Sequence, residues 1–321
     1  MTARCAPRLR LLLAGEVRRQ RGRLLAAGAS AAAVAAAAVL LLGVSGWFLT
    51  AASLAGAAGA AAAATFNALL PSAGIRLLAI LRTGGRYAER LSGHDAALRA
   101  MANIRPALFR AMAAAPARAM AMTVGDATAR MVQDVSELEV ALVQRASIWA
   151  AAAAGVSGAC LLLLAGGWCA TMLVVVLAAT LLGGRLLAAR MDRHGGALPP
   201  ANGRLKQEFS TLVAAASELR AYGLERWAAD RIDTHAATLL AAQRTMTGFA
   251  GWLDLLLATG TGCAAGLTLV TARSAPLPVA ALAVLGAVVS VEGMAALVRS
   301  LQHRGRLHAA ETRLEGLLDP G

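Results

Sequence analysis

Long apolar runs separated by arginine-rich stretches set the plan of this chain. The runs lie at about 24–49, 54–81, 146–165, 168–187, 247–270 and 279–298, and each reaches the roughly 20 residues that a helix needs to cross the hydrocarbon core of a bilayer. Alternate connections are short: Thr50–Ser53, Gly166–Gly167 and about 271–277. The others, from Arg82 to Arg145 and from Arg190 to Arg244, are charged but still helix-compatible, so they predict helices that continue far beyond the membrane. Breaks are expected near Pro116, at Thr123–Gly125, at GGALPPANG (195–203) and at ELRAYGLERW (218–227). The pattern predicts an all-α membrane protein of six transmembrane helices, with two long helical excursions on one side, after the second and fourth spans.

Composition supports the membrane assignment: 58% of the 321 residues are hydrophobic, 15% are charged, and mean hydropathy is +0.60. A net charge of +13 would suggest nucleic acid if its distribution were ignored, but the arginines sit between apolar spans. With the short connections outside, Arg273 is the only one of the 31 basic residues there, a positive-inside bias that places both ends in the cytoplasm. Residues 1–23 form a basic arm holding seven arginines. The apolar run that follows is longer than the roughly 7–15 residues of a signal-peptide core, so it reads as a retained first helix. Cys5, Cys160, Cys169 and Cys263 lack any metal-ligand or CxxC spacing and read as small packing residues.

Candidate chemistry is sparse. Arg82, Arg86, Arg90 and His94 recur at four-residue steps and form one slowly drifting cationic stripe just below the bilayer. It suits an anionic ligand, or it is a solvated face of snorkelling arginines. Asp254 and Glu292 fall inside apolar spans, where a carboxylate is costly and usually faces a bundle interior or water. Both, with Arg86, are candidates for a substrate pathway; a hydrogen-bonded packing role is the alternative. Glu292 and His303 are about three turns apart and would share one helix face. No Walker A sequence occurs in these residues, and no catalytic residue is assigned.

The segments SGWFLTAASLAG (45–56), LLPSAGIRLLAILRTGGRYAERLSGHDAALR (69–99) and GDATARMVQDVSELE (125–139) resemble the CydC subunits of CydDC-type heterodimeric ABC exporters. The resemblance implies the type-1 ABC exporter transmembrane domain over 24–312 and, in RLEGLLDPG (313–321), a connector towards a nucleotide-binding domain. It implies coupling helices at about 114–124 and 218–227. It further implies a CydD-like partner, ATP and magnesium held by nucleotide-binding domains, and residence in a bacterial inner membrane. Cysteine or glutathione export, and haem handling for cytochrome bd assembly, are the implied functions. Carried over by motif, His94 would be an axial ligand of haem b, Arg90 would meet a propionate and His303 would lie close. Gly84, Gly85 and Gly93 depart from the family's wording and predict a loosened site there. Two other readings remain open: a generic exporter of lipid, peptide or drug, and a non-transporting haem-binding assembly factor.

Overall fold

A computed structural model describes residues 8–114, 132, 134–194 and 198–318. The elements are α1 (Arg8–Arg19), α2 (Arg21–Ala57), α3 (Ala60–Thr65), α4 (Leu69–Ala114), α5 (Val135–Gln144), α6 (Ala146–Leu163), α7 (Gly167–His194), α8 (Leu198–Ala214), α9 (Ala216–Ala221), α10 (Glu225–Thr271), α11 (Leu277–Ser300), a 3₁₀ turn (Leu301–His303) and α12 (Arg304–Leu318). Among the described residues there is no strand. Among the described residues, five stretches are long and apolar enough to cross a membrane: α2, α5 with α6, α7, α10, and α11 with its continuation. The sixth member of the bundle, α4, runs along α2. Its apolar part is interrupted by Arg76 and followed by Arg82 and Arg86, so it does not reach the same apolarity.

The first connection is not at Thr50–Ser53. Helix α2 runs straight through Thr50–Ser53, because Thr50 Oγ1 donates to the Gly46 carbonyl (2.8 Å) and Ser53 Oγ to that of Thr50 (2.9 Å). Both polar groups are satisfied inside the helix, so neither breaks it. The chain turns instead at Gly59, whose φ of 110° suits glycine, and passes through α3 to Phe66. This relocated connection carries no basic residue, so the charge asymmetry is unaltered.

The other expected breaks fare differently. Gly84, Gly85 and Gly93 lie inside an unbroken α4, and a side chain at Gly85 would come within 2.8 Å of Val34, so this glycine admits α2. The chain is helical from Leu198 onward, with Pro199 and Pro200 in the first turn of α8, where their missing N–H groups cost nothing. The breaks expected at Pro116 and Thr123–Gly125 lie outside the described residues, as do 195–197. The break at 218–227 is present: α9 ends at Ala221, and Gly223 (φ 66°) turns the chain into α10.

The main core lies where α2, α6, α7, α10 and α11 meet, around Val39, Ala154, Leu162, Leu173, Ala264, Ala287 and Val291. A second core sits among the helical extensions. There α1 is no loose arm: Leu9 is buried with Met101, Ile104, Leu108, Val135, Leu138 and Leu314, joining α1, α4, α5 and α12. Arg313 donates from Nε to Asp134 (3.0 Å) and again from Nη2, tying α12 to the start of α5. Cys169 is buried, whereas Cys160 and Cys263 reach the bundle surface instead of packing inside it.

Candidate functional site

A cavity of about 450 Å³ opens between α2, α4, the α5–α6 junction and α11. Its α2 wall is Ala31, Val34, Ala35 and Ala38, small residues at helical spacing that leave room where larger ones would fill it. The opposite charges come from two helices: Arg82, Arg86 and Glu89 from α4, and Glu292 from α11. Gln144 and Ser147 add polar groups at the α5–α6 junction; the Ser147 hydroxyl is already used, donating to the Gln144 carbonyl at 2.7 Å.

Close packing of α6 on α11 holds Glu292 in place. Ser290, fully buried, donates to the Gly286 carbonyl at 2.7 Å and occupies the space beside Gly158. Gly293, the neighbour of Glu292, lies against Ala154 with no room for a side chain. Such small-residue contacts let two helix backbones approach closely and fix their relative rotation. The direction in which Glu292 projects is thereby set by residues one and two positions away.

Only part of the cationic stripe reaches the cavity. Each four-residue step along a helix drifts by roughly 40°, whereas a three-residue step turns back by roughly 60°. Arg82, Arg86 and Glu89 therefore stay within one sector, while Arg90 and His94 drift out of it, and both are exposed. Arg86 Nη1 lies 3.9 Å from Glu89 Oε2, a loose ion pair. Glu89 and Gln144 are lining residues that charge periodicity did not single out; the signal for Glu89 was its position three residues beyond Arg86.

Beyond the cavity, His94 stands beside Tyr87, Leu91 and Leu98, all exposed, with Arg90 on the flank of the same strip. An imidazole, apolar side chains and a guanidinium on one open face are the groups a haem would use for its iron, its macrocycle and a propionate, so the residues present fit it. His303 is placed differently. It closes a 3₁₀ turn that packs against α7, and this turn rotates it by roughly 60° from the position an unbroken α-helix would give relative to Glu292. Helix α4, which carries His94, packs on α2, α5, α12 and α1. Asp254 also stands apart: its carboxylate accepts from Arg299 Nη2 at 3.1 Å, an exposed link between α10 and α11.

Residues 29–259 match the ABC transporter transmembrane region. Over 99 residues the chain is 39% identical to the glutathione/L-cysteine transport system ATP-binding/permease protein CydC of Escherichia coli. It is 37% identical over 99 residues to the protein of the same name from Haemophilus influenzae. Each match takes in 30% of this chain, and they cover 17% and 16% of the two relatives.

Proposed function

The chain belongs to the ABC transporter transmembrane-region family, and from this premise we propose that it is the membrane half of an ATP-driven exporter of the CydC kind. The family match over 29–259, falling on a bundle with two long helical excursions, is the observation that carries the reading. A CydD-like subunit pairs with it and covers the open face of α4. ATP is bound and hydrolysed by nucleotide-binding domains that dock on the excursion tips, of which 218–227 is described here. The chain resides in a bacterial inner membrane with both ends in the cytoplasm, and the connections at 58–68, 164–166 and 272–276 face outward.

The cargo in this proposal is a small thiol of the cysteine or glutathione type, the class named for the relatives. A second reading, haem handling, is favoured by the exposed strip around His94. When bound, haem would supply an iron that accepts an imidazole nitrogen. His94 would hold the iron, Arg90 would orient a propionate, and Tyr87, Leu91 and Leu98 would shield the macrocycle from water.

The test is ATP-dependent accumulation of radiolabelled L-cysteine or glutathione in inside-out vesicles bearing the assembled transporter. Accumulation above vesicles lacking ATP supports the thiol exporter. ATP hydrolysis without thiol accumulation moves the assignment to an exporter of other cargo. Absence of both, with haem retained, leaves a haem-binding assembly factor.

A further inference from the structure

We propose that the cavity between α2, α4, the α5–α6 junction and α11 binds a small zwitterionic ligand, one that carries an oxyanion and an ammonium group. This rests on the exporter reading and adds to it the chemical class of what is bound. At about 450 Å³ the cavity lies within the roughly 300–1,000 Å³ range of small-molecule sites.

The charges decide the class. Two guanidinium groups, Arg82 and Arg86, and two carboxylates, Glu89 and Glu292, line the cavity, so its formal charge is balanced. They neutralise one another only weakly, through a single loose pair. The one contact among them is the 3.9 Å approach of Arg86 to Glu89, and neither Arg82 nor Glu292 has an ion-pair or hydrogen-bond partner among the described residues. Both charges therefore remain available to a ligand beside the apolar α2 wall, where exclusion of water would strengthen each new contact. A purely anionic ligand would meet Glu292 unfavourably, and a purely cationic one would meet Arg82 and Arg86. A molecule carrying both signs satisfies both sides of the cavity. Arg82 and Arg86 would hold its carboxylate or phosphate, Glu292 its ammonium, and the Gln144 side chain could bond an amide or a second carboxylate.

A free amino acid or short peptide offers this chemistry, as does the headgroup of an ethanolamine lipid, and the test separates them. Binding of radiolabelled L-cysteine and glutathione would be measured on the complete assembled transporter in nanodiscs of phosphatidylglycerol. L-cysteine methyl ester and N-acetyl-L-cysteine would serve as competitors that lack one charge each. Each charge-assisted hydrogen bond lost should weaken binding roughly tenfold to a hundredfold, so both derivatives should compete poorly against the wild type. Glu292→Gln should erase the discrimination against the N-acetyl derivative alone. Arg82→Gln with Arg86→Gln should erase that against the ester alone, and Glu292→Asp should retain discrimination. Displacement of the thiols by phosphatidylethanolamine in the wild type but not in Glu292→Gln would identify the headgroup as the occupant. Failure of the wild type to bind either zwitterion, with no displaceable ethanolamine lipid, or discrimination that survives all the substitutions, overturns the proposal. ATP-driven transport by the same wild-type preparation reads the exporter assignment separately. Transport with unmoved discrimination discards the site alone, and discrimination as expected without transport discards the exporter alone.

Discussion

At Gly158 a single methyl group decides whether α6 and α11 can touch. A Cβ there would overlap the Ser290 hydroxyl and come within 2.9 Å of Ser290 Cβ. Gly158→Ala should therefore cost about 1–3 kcal/mol, seen as a lower thermal midpoint in detergent, and Ser290→Ala in the same background should recover part of it. At His94 the expected readout is spectroscopic. If His94 ligates haem as proposed, His94→Ala should shift or remove the Soret band of the purified assembled transporter, whereas Arg90→Ala should lower haem retention with a smaller shift; an unmoved band in His94→Ala would exclude it as ligand. Asp95, on the part of α4 beyond the membrane, accepts from Arg99 Nε at 2.8 Å and pairs with Arg23 at 2.6 Å. The Arg99 hydrogen bond above all, opposed by desolvation and aided by the charges of Arg99 and Arg23, holds this carboxyl below its ordinary value. A depressed folded-state value means the contribution is full above the unfolded value of about 3.9 and is lost as pH falls through the folded one. Between pH 6 and 3 the thermal midpoint of Asp95→Asn should fall less than that of the wild type.

Helices in this protein end where backbone geometry requires it, not where polar residues are merely present. Thr50 and Ser53 sit inside α2, and Gly59 makes the turn. With impermeant maleimide on cells, single cysteines at 62 and 274 in a cysteine-free background should label from outside, and one at 225 only after permeabilisation. External labelling at 225 would break the proposed layout. The 3₁₀ turn at Leu301–His303 is a second case. Three residues of tighter winding separate α11 from α12, so a face followed along α11 is not the face that continues into α12.

Among the described residues, the two larger cores divide the work, with a small third cluster around Leu253, Leu257 and Val298. One holds the membrane bundle; the other, joining Leu9, Leu108, Leu138 and Leu314, brings both ends of the described chain together beneath it. The α8–α9–α10 excursion packs mainly on itself, and its tip leaves Tyr222 (77% exposed), Leu224 and Trp227 uncovered. Clustered exposed apolar residues at a helix turn mark a contact surface. If this tip transmits ATP hydrolysis, Tyr222→Ala with Leu224→Ala should lower transport roughly tenfold or more in the assembled exporter while ATP hydrolysis continues. Equal loss of both would point to failed assembly, and unchanged transport would remove the tip from coupling.

The membrane class, the all-α architecture, the helical excursions and the family likeness were legible in one dimension. Apolar length and arginine placement are properties of consecutive residues, and the GRYAERLSGHDAALR wording is local too. Even the cationic stripe was visible, because it lies on one helix. Contacts between helices were not, since they depend on rotation and crossing that no local pattern encodes. Only the fold showed that Asp254 meets Arg299, that Leu9 is buried, and that Arg82, Arg86 and Glu89 share a cavity with Glu292. Close approach at Gly158 and Gly293 set the rotation of α11, and with it the direction of Glu292. The roughly 40° drift of α4 then decided which members of the stripe could join it and carried Arg90 and His94 past the cavity.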